Sequence, residues 1–167
     1  RLTAGTGQQV YDEILEKLRS PEFRPRALFD RFGIEVLATT DAATDSLEHH
    51  AAIRDAEWDG RVIPTFRPDA LFAIADDGWP GELEALAAAH GATITTAADF
   101  IDALASRRVF FRAMGATATD HAVVEPRTHR LGPEDADALF RRARAGEATA
   151  ADQQRFQAHM LMEMARM

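Results

Sequence analysis

IEVLATT, residues 34–40, is a short, apolar run rich in β-branched residues, and Asp41 follows it directly. Such a run reads as a largely buried strand, and the Gly33 before it supplies the left-handed residue that closes a helix. What flanks it decides the fold class. Upstream, Val10, Ile14, Leu15 and Leu18 recur at helical spacing behind a Thr6-x-x-Gln9 capping arrangement, which predicts a helix over 8–19. Pro21 ends that helix, and Pro25 opens a short one running through Phe32. Downstream, Ser46–Trp58 reads as helical, Asp59-Gly60 as a turn, and Arg61–Phe66 (RVIPTF) as a second strand in which Pro64 demands a bulge or an unpaired position. A second capping box, Thr96 with Asp99, precedes a helical stripe of Phe100, Leu104, Phe111 and Met114 that stops at Gly115. Ala116–Val124 (ATATDHAVV) then reads as a third strand. Gly132-Pro133 and Thr149-x-x-Asp152 open two final helices, the last carrying Phe156, Met160, Leu161, Met164 and Met167 on one face as a core stripe. Strands separated by long helical stretches describe parallel βα units, so the chain is α/β and rich in helix.

Size narrows the architecture. The chain has 167 residues, whereas a complete (β/α)8 barrel takes roughly 250. Three strands form either a small open sheet with extra helices or a section of a TIM barrel whose other strands lie elsewhere. Arg1 in place of an initiator methionine, and a last helical pattern that stops at Met167 without a stop signal, favour the section. On this reading residues 1–33 are a helical lead-in, 34–125 the βα units with inserted helices, and 126–167 a helical segment of one single domain.

A formal charge of -8 argues against a nucleic-acid groove or an anionic membrane surface as partner. The absence of cysteine excludes disulfides and thiolate chemistry. No apolar run approaches the roughly 18 residues of a membrane span, and a cytoplasmic location is expected.

Chemistry in parallel α/β folds collects where strands end. Three polar clusters fall at such ends: Thr39-Thr40-Asp41, Thr65-Phe66-Arg67-Pro68-Asp69, and Thr119-Asp120-His121. Pro68 holds Arg67 in extended geometry, on the strand face of Ile63 and Thr65 and opposite Val62 and Phe66. Its guanidinium suits bidentate capture of a carboxylate, or else a structural clamp on Asp69 or a neighbouring acid. Asp120 and His121 combine an acid with the side chain that titrates near neutrality; His121 is open to a role as metal ligand, as general acid/base, or as a hydrogen-bonded residue without catalytic duty. His49 and His50, consecutive on a helix, read as surface residues, and Arg107, Arg108 and Arg112 as a solvated helix face.

Taken together, PEFRPRALFDRFGIEVLATTDAATDSLEHH, WDGRVIPTFRPD, FRAMGATATDH and FQAHMLMEMARM resemble, in order and over nearly the whole chain, the uronate (glucuronate) isomerase family of the amidohydrolase superfamily. The resemblance implies a middle section of a (β/α)8 barrel with inserted helices. It implies an aldose–ketose isomerase interconverting D-glucuronate with D-fructuronate, and D-galacturonate with D-tagaturonate, by proton transfer between C2 and C1. By resemblance Asp120 and His121 are catalytic, Arg67 and Asp41 bind substrate, and a divalent metal, zinc, is held mainly by residues outside this chain, with His121 as the one candidate ligand within it. The family's HxH motif, a later HPG-type strand and a last-strand aspartate are absent, so the section alone is expected to be inactive. Expected partners are the uronate, the remainder of the barrel and further copies in a homo-oligomer. One departure lies inside the match: Ala122 stands where the family usually has glycine. Two alternatives remain at this stage, another metal-dependent amidohydrolase that hydrolyses, and a non-catalytic α/β interaction module.

Overall fold

The computed structural model describes residues 1–123 and 125–167. It is rich in helix, with a few short parallel strands. Helix α1 (Gly7–Arg19) and helix α2 (Pro25–Arg31), joined by a 3-10 turn at Pro21–Phe23, lead into strand β1 (Val36–Ala38) and its continuation β2 (Asp41–Ala42). Helix α3 (Glu48–Arg54) returns the chain to β3 (Arg61–Ile63) and β4 (Phe66–Arg67). A 3-10 turn at Asp69–Phe72 and four helices follow: α4 (Trp79–His90), α5 (Ala97–Ala113), α6 (Pro133–Arg144) and α7 (Ala150–Arg166).

The strands are parallel throughout. β1 pairs with β3 through Val36↔Arg61 to Ala38↔Ile63, and β2 pairs with β4 through Asp41↔Phe66 and Ala42↔Arg67. Both expected strands are therefore interrupted, the first at Thr39-Thr40 and the second at Pro64-Thr65, where proline offers no N–H to the ladder. The expected third strand shrinks to one parallel bridge, Thr119↔Phe66, closed by Phe66 N–H to Ala118 and Asp120 N–H to Phe66. The exposed stretch Thr117–Asp120 has a strand neighbour on one side only, and its alanines bring little packing to the pleat. Val124, the last residue of that expected strand, lies outside the described residues.

The core lies on the helical side. Phe66 packs edge-on against Phe111 of α5 at 5.1 Å, and Phe100 of the same helix meets both Phe140 of α6 and Phe156 of α7. Trp79 of α4 closes the cluster against Phe140, its indole N–H donating to the Leu71 carbonyl. Of the expected stripe on α7, Phe156, Met160 and Met164 are buried in it, whereas Leu161 is half-buried and Met167 at the helix end is exposed. Helix α4 is an element that sequence periodicity did not reveal. At the other end, α1 buries none of its residues, and Thr6 does not cap it: its hydroxyl meets Thr3 and donates to the Arg1 carbonyl, while Gln9 reaches Glu13.

Candidate active site

Strand alternation builds the site. Phe66 turns inward beneath α5, so Arg67 turns to the opposite face, with its side chain 41% exposed at the end of β4. Its Nε donates to Asp69 Oδ2 at 2.7 Å, and Asp120 Oδ2 lies 3.6 Å from the same nitrogen. The contact with Asp69 pushes the guanidinium pKa still higher, which keeps the charge fixed. Asp69 is placed by the 3-10 turn that begins on it and also accepts the Ala122 N–H at 2.8 Å. Ala122, the residue that departs from glycine, is exposed, so its methyl group has room.

His121 lies between this carboxylate and the aromatic core. Its ring stacks on Phe72 with centroids 6.2 Å apart, and its Nδ1 is 3.7 Å from Asp69 Oδ1. Both atoms are buried and make no hydrogen bond. Burial pushes the imidazole pKa below its ordinary value, and Asp69 and Asp120 only partly oppose this. A neutral His121 at neutral pH is a proton acceptor rather than an acid. Arg67, Asp120 and His121 thus meet around Asp69, a residue that sequence reasoning treated only as a clamp for Arg67.

Asp41 belongs to a second group at the same ends of the strands. Thr39 Oγ1 donates to Asp41 Oδ2 at 2.7 Å and lies 2.8 Å from His50 Nε2; the Thr65 N–H also points to Asp41 Oδ2 at 3.3 Å. His50 is therefore not a surface residue as expected, its side chain being 10% exposed, whereas His49 is 89% exposed. Asp41 lies on β2 and His50 on α3, and nothing in their spacing signals this; the Thr39 hydroxyl between them joins the two. The basic residues of α5 need the same correction. Arg107 is buried, with Nε on the Ala43 carbonyl at 2.9 Å and Nη2 on the Asp45 carbonyl at 2.7 Å, and Arg108 donates to the Met164 carbonyl. Only Arg112 keeps the solvated position.

Among the described residues no three His, Asp or Glu side chains converge as a metal-binding group. The unpartnered atoms of His121 and Asp69 make two donors, short of the three protein ligands that a catalytic zinc takes. The residues present do not by themselves fit the ion that the resemblance implies, and the chemistry assigned to this chain is that of its own side chains. Among the described residues no helix is long and apolar enough to cross a membrane.

Comparison with known proteins bears on the whole chain. The glucuronate isomerase family model matches residues 1–167. A uronate isomerase of Rhizorhabdus wittichii is 46% identical over 167 residues, which is 100% of this chain and 36% of that protein. A uronate isomerase of Xanthomonas campestris is 44% identical over the same share. Among solved structures, the crystal structure of glucuronate isomerase from Caulobacter crescentus superposes with a TM-score of 0.91 at 40% identity, covering 99% of this chain and 35% of that one. Uronate isomerase from Thermotoga maritima gives 0.87 at 28% identity, covering 99% and 36%. The chain thus spans about 36% of the length of the relatives it matches.

Proposed function

Since the chain belongs to the glucuronate isomerase family, we propose that it forms the middle section of an aldose–ketose isomerase and supplies that enzyme's substrate anchor and one of its proton-handling groups. The reaction converts D-glucuronate to D-fructuronate, and D-galacturonate to D-tagaturonate. In it a proton leaves C2, an enediol forms, and a proton returns to C1 as the carbonyl moves to C2. Such chemistry needs a base near C2, a stabiliser for the enediolate oxygens and a grip on the distant carboxylate. One observation carries the assignment: Arg67, Asp120 and His121 meet at one strand-end rim around Asp69.

In this reading the terminal nitrogens of Arg67 take the uronate carboxylate in a two-point contact. Neutral His121 accepts the C2 proton, and Asp120 steadies the positive charge that His121 then acquires. Asp41, held by Thr39 and the Thr65 N–H, accepts a sugar hydroxyl. The parallel order of 36–42, 61–67 and 118–120 supports a place in a (β/α)8 barrel completed by further strands, with a divalent zinc carried on residues outside this chain. Cytoplasmic, homo-oligomeric assembly belongs to the same proposal.

The test is turnover of D-glucuronate in D2O by the isomerase that contains this chain, followed by NMR. Ketose formation with solvent deuterium at C1 is expected; hydrolysis products, or no ketose, would overturn the reading. Arg67→Ala should lower kcat/KM by an amount equal to at least ~2 kcal/mol of transition-state stabilisation, because a charge-assisted contact is lost. Near-normal kinetics would remove Arg67 from the anchor role.

A further inference from the structure

Asp69 receives more than a clamp would. Its Oδ2 accepts two N–H donors from different parts of the chain, Arg67 Nε at 2.7 Å and the Ala122 backbone N–H at 2.8 Å. Its side chain is 19% exposed, against 41% for Arg67 and 49% for Asp120. Its second oxygen is buried, makes no hydrogen bond and faces His121 Nδ1 at 3.7 Å. A carboxylate with one oxygen taking two donors and its other oxygen buried without one is poorly satisfied as a structural ion pair. What the arrangement achieves is spacing. One group fixes the guanidinium at the end of β4 and the backbone that carries Asp120 and His121.

We infer that Asp69 is the positioning residue of this site: by occupying Arg67 Nε and the Ala122 N–H with one oxygen, it turns the two terminal nitrogens of Arg67 end-on toward the ligand and sets their distance from His121. Among the described residues those terminal nitrogens make no hydrogen bond, so they are free for the planar two-point contact that a carboxylate offers. A guanidinium can bind a carboxylate side-on through Nε or end-on through its two Nη atoms, and Asp69 removes the first choice. Ligands are thereby discriminated by shape. A carboxylate approaching along the guanidinium axis is accepted, and one approaching from the Nε side meets the negative charge of Asp69. The inference rests on the reading of Arg67 as the uronate anchor.

The experiment separates the two. Asp69→Ala removes both contacts, whereas Asp69→Asn keeps an oxygen that accepts both donors without the charge. In the isomerase that contains this chain, Asp69→Ala should lower kcat/KM for D-glucuronate by about tenfold or more, in KM through Arg67 and in kcat through His121, with Asp69→Asn restoring most of it. In the 167-residue chain, 15N NMR should show the Arg67 Nε–H and Ala122 N–H resonances moved upfield by Asp69→Ala and nearly unmoved by Asp69→Asn. Kinetics of Asp69→Ala within about twofold of the wild type, or resonances indifferent to it, would overturn the inference. If Asp69→Ala does not fold, hydrogen exchange in the wild-type chain decides: both N–H groups protected supports the positioning role, and either one exchanging freely overturns it. A wild-type enzyme that forms no ketose would defeat the functional reading, while the NMR result would still judge the geometry.

Discussion

Arg107 shows how far a single side chain can organise a site that it does not enter. It reaches from α5 to the carbonyls of Ala43 and Asp45, the loop that follows β2 and its Asp41, and lays its guanidinium 4.3 Å from the Phe110 ring centre. Burial lowers its pKa, with Asp45 opposing, yet a guanidinium is too weak an acid to lose its charge at neutral pH. Replacing it by methionine leaves the Ala43 carbonyl, in a buried contact, and the Asp45 carbonyl, in a half-buried one, without that donor. Arg107→Met should therefore cost the chain about 2–4 kcal/mol in urea unfolding, and a loss under about 0.5 kcal/mol would show that water replaces the guanidinium at no expense. Residue type and spacing mark Arg67, Asp120 and His121 as candidates, because proline-fixed and strand-end positions announce themselves, and the structure brings the three together around Asp69. Type and spacing did not reveal Arg107 or His50. Helical position tells which way a side chain leaves its helix, but not that a loop 62 or 64 residues away brings carbonyls to meet it.

Elements opened by a capping box ahead of an apolar stripe were readable, and punctuation without an apolar period was not enough. The Thr96–Asp99 box does cap α5 in both directions, and Thr149 with Asp152 does the same for α7. Helix α4 escaped notice because its alanines leave no apolar period, although Pro80 just inside its start and Gly91 at φ +80° just past its end are a usable pair of signals. At the third strand the letters ATATDHAVV read as strand, and among the described residues tertiary context grants one bridge. Gly115 shows what punctuation is worth. It follows α5 at φ +103°, where a Cβ would lie 3.6 Å from Ile63 Cγ2, an ordinary contact. Space is available there, so the cost of a side chain is conformational. Gly115→Ala should destabilise the chain by about 1–2 kcal/mol, read as a lower Tm with unchanged helical circular dichroism, since L residues resist positive φ. An unchanged Tm would mean that the backbone relaxes into another turn without loss.

For the molecule as a whole, pH sets two effects against each other. The chain carries a formal charge of -8, so taking up protons relieves self-repulsion and favours the compact state. Two histidines act the other way. His159 is buried in α7, and burial pushes its pKa below the ordinary value, with Arg130, Arg166 and His129 adding to the shift and only Glu163 opposing it. His121 is lowered for the same first cause, with Asp69 and Asp120 opposing and Arg108 assisting. For a group depressed in the folded state, the unfolded chain binds protons first. The histidine contribution is therefore complete above the unfolded value of about 6.5 and is lost as pH falls through the lowered folded values, where it levels off. Carboxylates add a further loss in more acid solution, Asp99 being held at about 2 by hydrogen bonds from Thr95 and Thr96. Surface repulsion is screened over about 8 Å at 0.15 M salt, whereas desolvation of a buried imidazole is not, so in salt the histidines should prevail. Tm is expected to be flat from about pH 8 to 7 and to fall between about pH 6.5 and 5, with His159→Gln making the fall shallower. A Tm that rises on acidification through that window in 0.15 M salt would show that the spread negative charge, and not the two buried rings, governs the stability of this chain.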